Sequence, residues 1–362
     1  MRVLIRADAS TTIGSGHIAR CLTLANVLRK DGAEVTFACR QLPGHPLKRL
    51  ADEGYVALGL PERYAQERRE ADVEAFLPWQ ADIDALAAAL KDPPRFDWLI
   101  VDHYGLDARW EKAARPFADR LMALDDLANR PHAVDVLLDQ NYSAQVQHRL
   151  YDPWLEPGCT TLLGPRFALL RDEFQCEAIT IKPRVERVVV NFGGFDAARQ
   201  VYATMLALQG FDELRVDFVA GLHNPEWETM SELAKAHPNW RLHALVSDFF
   251  RLMQHADLFI GAGGGTTWER AALGLPTICI SVANNQQPNA QLLADAGMHR
   301  YLGPYQNLAP ECLVAAIAEL IGDRSQRQAL ADRSRTLVDG RGTRRVADAL
   351  AAHHNFAVSE SP

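Results

Sequence analysis

The chain has 362 residues, which exceeds the usual size of a single hydrophobic core and favours two domains. Hydrophobic residues make up 48% of it and charged residues 23%, as in an ordinary water-soluble globular protein. The net charge of −8 argues against a dedicated binder of nucleic acid or of anionic membranes, and no apolar segment is long enough to cross a bilayer.

The amino terminus and the cysteines predict a cytoplasmic protein. MRVLIRADAS lacks the basic, apolar and small-residue regions of a signal peptide. No C-x-x-C pair occurs, so we expect buried free thiols in a reducing compartment. The cysteines are Cys21, Cys39, Cys159, Cys176, Cys279 and Cys312.

In the first half, apolar runs of strand length alternate with amphipathic runs of helix length. RVLIRAD is followed by a helix predicted from His17 to Lys30, with its apolar side chains on one face, and Gly32 ends that helix. Further strands are predicted at EVTFACR, YVALGL, DWLIVDH, RLMALDD and VDVLLDQ. The segment ERYAQERREADVEAF is mixed in charge and predicts a solvated helix.

Four prolines between Tyr151 and Arg184 interrupt this alternation and predict a connection between domains. Strands resume at RVERVVVNFGG, LRVDFVAG, WRLHALV, ADLFIGAGG and LPTICISV, and helices follow from Pro310 onward. The predicted fold is therefore α/β, with two doubly wound Rossmann-like domains that face a ligand cleft. We place the domains at 1–165 and 184–340, a linker at 166–183, and a terminal helix and tail at 341–362.

The stretch TTIGSGHIAR contains a glycine loop, with Gly14, Gly16 and His17, between the first strand and the first helix. GSGHIA matches the dinucleotide fingerprint G-x-G-x-x-A, although Ala9 to Ile13 separate the strand from the first glycine. Arg40, at the end of the second strand, would suit a 2′-phosphate, so an NADP oxidoreductase remains an alternative. A P-loop is less well supported, because no G-K-[ST] follows.

A second glycine loop lies in FIGAGGGTTWERAALGLP, where a strand ends and a helix opens at Thr266 or Thr267. Bare backbone N–H groups followed by the positive end of a helix form an anion site, and a diphosphate is a natural occupant. The glycines are Gly261, Gly263, Gly264 and Gly265. Glu269 could accept two hydroxyls of a ribose, or could bond back to the helix start in a Thr266-x-x-Glu269 capping box.

Two further loops follow predicted strands. In NFGGFD, Gly193 and Gly194 could let the backbone approach a ligand or could make a tight turn. SVANNQQPNAQ is rich in amide side chains, which suit sugar hydroxyls and N-acetyl groups or could cap the next helix. The amides are Asn284, Asn285, Gln286 and Gln287.

Taken together, these motifs resemble the UDP-2,4-diacetamido-2,4,6-trideoxy-β-L-altropyranose hydrolases of pseudaminic acid biosynthesis. IRADASTTIGSGHIARCLTLA resembles the amino-terminal signature of that family and places His17 at its catalytic histidine. Similar stretches are VDHYGLD, DDLANRPHAVDVLLDQN, LLGPRFALLRDEF, NFGGFD and GAGGGTTWERAALGLP, so the resemblance extends to about residue 350.

The carboxy-terminal half also resembles the peptidoglycan N-acetylglucosaminyltransferase, a UDP-sugar enzyme of the glycosyltransferase-B fold. That likeness implies that Glu269 meets the ribose and that the Gly263–Thr266 turn meets the diphosphate. It also implies that backbone near Val246 holds the uracil and that Gln286 and Gln287 face the sugar. Three positions before Glu269 this chain has Thr266, where some of the hydrolases carry an asparagine.

The resemblance implies that water attacks the anomeric carbon with inversion and that UDP is released. His17 would be the general base, and its place at the amino end of a helix favours the neutral imidazole that a base requires. Asp8 could orient His17, and Tyr104 could touch the sugar. His103 is interpreted as structural, and Arg6 and Arg20 as solvated or paired surface arginines.

No metal and no cofactor are expected, since a diphosphate held by N–H groups does not need a cation. Asp125 and Asp126 are adjacent carboxylates, but no metal motif accompanies them. The expected partners are a UDP-sugar and water. A UDP-sugar glycosyltransferase and a non-catalytic sugar-nucleotide binder are the alternatives. The sequence does not indicate the oligomeric state.

Overall fold

The computed structural model describes residues 1–11, 13–62, 78–91, 95–193, 196, 198–221, 224–246 and 248–359, and in the last helix it describes side chains up to residue 354. The segment predicted as a solvated helix, ERYAQERREADVEAF, lies outside these residues except for Glu62. The chain forms two compact units. One comprises Met1–Leu169 with Gly342–Pro362, and the other comprises Leu170–Arg341.

In the first unit the strands are β1 (Arg2–Ala7), β2 (Glu34–Arg40), β3 (Val56–Leu60), β4 (Phe96–Asp102), β5 (Ala118–Leu124), β6 (Val136–Asp139) and β7 (Thr160–Leu163). Its helices are α1 (Gly16–Lys30), α2 (Leu47–Asp52), α3 (Trp79–Leu90), α4 (Ala108–Ala114), α5 (Tyr142–Val146) and, from the end of the chain, α13 (Gly342–Ser359).

In the second unit the strands are β8 (Arg187–Asn191), β9 (Arg215–Val219), β10 (Trp240–His243), β11 (Leu258–Gly261), β12 (Thr277–Ser281) and β13 (Arg300–Pro304). Its helices are α6 (Gln200–Leu208), α7 (Trp227–Lys235), α8 (Phe249–Gln254), α9 (Thr266–Leu273), α10 (Gln286–Asp295), α11 (Pro310–Gly322) and α12 (Arg324–Leu337).

Both sheets are parallel, and in each the strand order reverses at one point. The first sheet runs β3-β2-β1-β4-β5-β6-β7 and the second runs β10-β9-β8-β11-β12-β13. In such sheets the crevice for ligands opens where the order reverses, beyond the carboxyl ends of the strands. That point lies between β1 and β4 in the first unit and between β8 and β11 in the second. The prediction of two doubly wound Rossmann-like units is confirmed.

The strands and helices follow the apolar pattern of the sequence. Nearly every residue of β1 is buried, as expected of a strand covered on both faces. On α1 the face predicted from the 3.6-residue period is buried, from Ile18 through Cys21 and Ala25 to Leu28. Gly32, with φ +87°, takes the left-handed conformation just after that helix.

Two edge strands were not predicted. β7 lies within the proline-containing segment that we interpreted as a connection, and β13 carries Gly303 and Pro304, which disfavour a strand on sequence grounds. Each is tolerated because it pairs along only one side, β7 with β6 and β13 with β12. The chain passes from the first unit to the second between Leu169 and Leu170.

The terminal helix α13 packs onto the first unit rather than standing apart. Val346, Ala347 and Leu350 are buried in the same apolar cluster as the inner face of α1. Arg344 forms an ion pair with Asp31 at the end of α1. The first unit is therefore completed by the last segment of the chain.

The expectation of six buried cysteines is wrong for three of them. Cys21, Cys39 and Cys279 are buried free thiols, whereas Cys159 and Cys176 are half-buried and Cys312 is exposed. Cys312 sits on the outer face of α11, where helical periodicity places a residue in solvent. Across the described part of the chain, the helices are all too short or too polar to cross a membrane.

Candidate functional site

The first glycine loop positions His17 at the start of α1. Gly14 has φ +81°, a conformation that favours glycine, and its N–H donates to the carbonyl of Ser10 at 2.9 Å. Gly16 begins the helix, so His17 is its second residue and has only 8% of its surface exposed. The loop and the start of α1 therefore hold the imidazole in a nearly enclosed position.

Asp102 orients the imidazole of His17. The two residues are adjacent in space because β1 and β4 are neighbours, and Asp102 is the last residue of β4. Asp102 Oδ1 lies 2.6 Å from His17 Nδ1. Burial opposes ionisation of Asp102, but Arg20 and His17 outweigh it and hold the pKa of this carboxyl far below its usual value. An ionised Asp102 accepts a hydrogen bond from the N–H at Nδ1, which leaves Nε2 as the basic nitrogen of the ring.

Arg20 bridges two carboxylates in this cluster. Its Nε and Nη2 donate to the two oxygens of Asp102, each at 2.7 Å, and its Nη1 donates to Asp126 at 2.7 Å. The Arg20 side chain is only 12% exposed. The interpretation of Arg6 and Arg20 as surface arginines was therefore wrong, since Arg6 is also fully buried, between Asp8 and Asp82.

Tyr104 completes the surroundings of His17. Its ring meets the imidazole edge-on, with centroids 4.7 Å apart, and its hydroxyl donates to Asp126 Oδ2 at 2.6 Å. Asn141 Nδ2 also donates to Asp126, at 3.1 Å. Burial and the charge of Asp126 raise the pKa of Tyr104 well above its ordinary value. The phenol is thus a fixed neutral donor next to the histidine.

The prediction that Asp8 orients His17 is wrong. The Asp8 carboxylate accepts two hydrogen bonds from Arg6, at 2.6 and 2.9 Å, and one from the backbone N–H of Arg40 at 2.7 Å. His103 Nε2 lies 3.4 Å from Asp8, in keeping with a structural role. Arg6 lies two residues earlier in the chain, within β1, and its guanidinium holds both oxygens of the Asp8 carboxylate.

Arg40 has a buried partner instead of an exposed position for a 2′-phosphate. Its Nη2 donates to Asp82 at 2.5 Å and its Nη1 to the carbonyl of Pro61 at 2.9 Å, and the residue is 3% exposed. This placement removes the feature that favoured NADP.

In the second unit, the turn between β11 and α9 presents unpaired backbone donors. Within the described residues, the N–H groups of Gly264, Gly265 and Thr266 reach no acceptor. A Cβ at Gly265 would meet nothing within 4 Å, so the turn is open there. Gly263 is more enclosed, since its Cβ would lie 3.4 Å from the Cβ of Gln286. Bare amides next to the positive end of a helix are an arrangement that suits an anion.

Glu269 does not form the capping box that we considered. A capping box would require Thr266 as the N-cap. Thr266 is instead the first residue of α9, and the N-cap is Gly265, which has no side chain to bond to the start of the helix. The carboxylate is 20% exposed, and Arg171 Nη2 lies 3.7 Å from its Oε1. Burial raises the pKa of Glu269 to about 7, against the opposite effects of Arg171 and Arg270. A carboxyl in this position can accept ligand hydroxyls once it is ionised.

The remaining predicted residues lie at the carboxyl ends of strands in the same sheet. Gly193, with φ +99°, follows β8 next to β11, and Gly194 lies outside the described residues. Gln286 opens α10, and its side chain accepts from the N–H of Val282 at 3.0 Å. Gln287 donates to Asn284 at 3.2 Å, Asn285 is exposed, and Val246 is half-buried after β10. The described residues contain no group of three or more side chains able to hold a metal ion.

Comparison with known proteins finds a matching family model and several relatives. Residues 188–348 match the family model for the glycosyltransferase family 28 C-terminal domain. A UDP-2,4-diacetamido-2,4,6-trideoxy-beta-L-altropyranose hydrolase from Campylobacter jejuni is 28% identical over 82% of this chain and 97% of its own length. The chain is a relative of that hydrolase.

A second relative and a solved structure are similar to nearly the whole chain. The spore coat polysaccharide biosynthesis protein SpsG of Bacillus subtilis is 24% identical and covers 96% of both chains. The crystal structure of MurG from Acinetobacter baumannii superposes with a TM-score of 0.66 at 17% identity, over 97% of this chain and 99% of its own. At that identity the superposition shows the fold, which is that of the glycosyltransferase-B enzymes.

Sequence reasoning did not name Asp102, and it named Asp126 and Arg20 without placing them next to His17. Asp102 and Asp126 both stand at or just after strand ends, in VDHYGLD and DDLANR, and that position was the available signal. Arg20 lies one turn after His17 on α1, where i and i+3 side chains meet. What the sequence could not reveal was which carboxylate the histidine faces.

Proposed function

We propose that the protein hydrolyses UDP-2,4-diacetamido-2,4,6-trideoxy-β-L-altropyranose to UDP and the free sugar, with inversion at the anomeric carbon, in pseudaminic acid biosynthesis. The observation that carries the proposal is the 2.6 Å contact of His17 Nδ1 with Asp102, an ionised carboxylate. The relationship to the hydrolase of Campylobacter jejuni supports the choice of substrate.

In this mechanism His17 acts as the general base. Asp102 fixes the tautomer with the proton on Nδ1, so Nε2 accepts a proton from water as the water oxygen bonds to the anomeric carbon. The bond from that carbon to the diphosphate oxygen breaks, and its electron pair leaves with UDP. Because water enters opposite the leaving group, the configuration inverts.

The Gly263–Thr266 turn would receive the charge that develops on UDP. Preorganised N–H donors stabilise such charge without having to rearrange, which is the principle of an oxyanion hole. Glu269 would accept the ribose hydroxyls, backbone near Val246 would hold the uracil, and Gln286 with Gln287 would face the sugar. No step in this scheme requires a metal ion.

The direct test is to incubate the purified protein with the UDP-altropyranose and no acceptor, in the presence of a chelator. Free UDP and an inverted sugar anomer, followed by NMR, are the expected products. His17→Ala should reduce turnover by about 10²–10⁴-fold and leave UDP binding intact. His148→Ala, at an exposed histidine of the same unit, is the matched control.

A glycosyltransferase is the second candidate, favoured by the match of residues 188–348 to a glycosyltransferase domain. UDP release that depends on an added sugar or lipid acceptor would support it and contradict hydrolysis. Tight UDP binding with no release under either condition would instead indicate a non-catalytic binder.

A further inference from the structure

Arg270 is a buried cation that lies beneath the second glycine turn. It is the fifth residue of α9 and has 2% of its surface exposed. Nη2 donates to the carbonyl of Ala262 at 3.0 Å and to Thr267 Oγ1 at 2.9 Å, and the guanidinium lies over the ring of Phe259. Nη1 is buried and has no partner, and no carboxylate of the described residues comes within 4 Å of the group.

A buried guanidinium without an opposite charge lowers the stability of the unliganded protein. Buried charges are normally paired, because removal from water is repaid only by an opposite charge and a full set of hydrogen bonds. Burial lowers the pKa of Arg270 to about 10, so the group is still a cation at neutral pH. The described structure thus holds a positive charge without an ion-pair partner, directly behind a set of bare amides.

The hydrogen bond to Ala262 couples this charge to the turn. The Ala262 carbonyl and the Gly263 N–H belong to one peptide group, so a charged donor on the oxygen polarises the N–H at the other end. The amides of Gly264, Gly265 and Thr266 follow directly, at the positive end of α9. The charge, the polarised peptide and the helix end act in the same direction, towards an anion at the turn.

We propose that Arg270 is a positioning residue for phosphate recognition, holding the turn through the Ala262 carbonyl and supplying the positive charge that a bound diphosphate neutralises. This inference rests on the proposed binding of UDP. Its hydrogen bonds reach the turn and not the nucleoside contacts assigned above, so loss of Arg270 should weaken UDP binding more than uridine binding.

Titration calorimetry with uridine, uridine monophosphate and UDP tests the inference on the whole protein. In Arg270→Gln, which keeps a neutral donor, we expect the preference for UDP over uridine to fall by about tenfold or more at pH 8. Loss of the charge also raises the pKa of Glu269, which weakens both ligands alike and cancels from that ratio. The loss of affinity for the monophosphate should lie between the losses for uridine and for UDP. Arg270→Lys, which keeps the charge, should restore most of the preference for UDP over uridine. Arg251→Met removes an exposed arginine of α8 and should leave the ligand series unchanged.

Equal weakening of uridine and UDP in Arg270→Gln would show a purely structural role and overturn the inference, as would unchanged UDP affinity. If that variant does not fold, Arg270→Lys carries the test, and loss of its preference for UDP would contradict a role for charge. Failure of the wild-type protein to bind UDP would refute the proposed function itself and this inference with it.

Discussion

Replacing Glu269 by glutamine should make the protein more stable at pH 8 and weaken its binding of UDP. Burial raises the pKa of this carboxyl to about 7 from an ordinary value of 4.5. A carboxyl whose pKa is higher in the folded than in the unfolded state destabilises the fold when it is ionised. Stability is therefore lost as the pH rises from 4.5 through 7, and a neutral glutamine avoids that loss.

The size of the effect follows from the difference between the two pKa values. About 2.5 pH units correspond to roughly 3 kcal/mol, an upper limit because the side chain keeps some contact with water. At pH 5 the same difference contributes less than about 1 kcal/mol, since the folded-state carboxyl is then almost fully protonated. The stabilisation by Glu269→Gln should thus grow with pH.

Urea unfolding at pH 5 and pH 8, followed by circular dichroism, measures this difference. Glu228→Gln, at an exposed glutamate of α7 in the same unit, is the control and should change stability by less than about 0.5 kcal/mol. Calorimetry of UDP at pH 8 should show weaker binding by Glu269→Gln alone. The reasoning would be refuted if Glu269→Gln gained no more stability at pH 8 than at pH 5.

Three further outcomes are expected. Asp102→Asn should lower kcat by about 10²–10⁴-fold in the sugar-release assay, because an amide no longer fixes the His17 tautomer, while UDP affinity stays constant. Uridine, which carries no phosphate, should bind up to about tenfold more tightly at pH 8 than at pH 6 as Glu269 ionises, and calorimetry across that range would detect it. Arg327→Met should destabilise the protein by about 2–4 kcal/mol in urea, because the buried guanidinium donates to four carbonyls that would lose their partner.

Much of the fold could be predicted from the sequence, since buried parallel strands and amphipathic helices have distinct apolar periods. The edge strands β7 and β13 were not predicted, because strands paired on one side tolerate proline, glycine and polar residues and so lack a clear apolar pattern. Arg6 and Arg20 were misjudged for a different reason. A sequence shows charge but not burial, and both arginines are buried by carboxylates that are distant in the chain.

The candidate site was predictable in its residue types more than in its contacts. The glycines and Glu269 could be named because their spacing at a strand-to-helix turn carries the chemistry. The partner of His17 could not be named, since Asp102 is 85 positions away and becomes its neighbour only through the pairing of β1 with β4. Asp8 was nearer in sequence, but Arg6 binds its carboxylate.

The return of α13 to the first unit has a consequence for how the protein is made. Gly342 lies so close to the Ala168 backbone that a Cβ would fall 2.2 Å from its carbonyl oxygen, so the points where the chain leaves and re-enters this unit are side by side. A ribosome must therefore finish residues 170–341 before the first-made sheet receives the helix that covers α1. Until then the nascent chain leaves that apolar face exposed, at the stage of synthesis when association with other chains is most damaging.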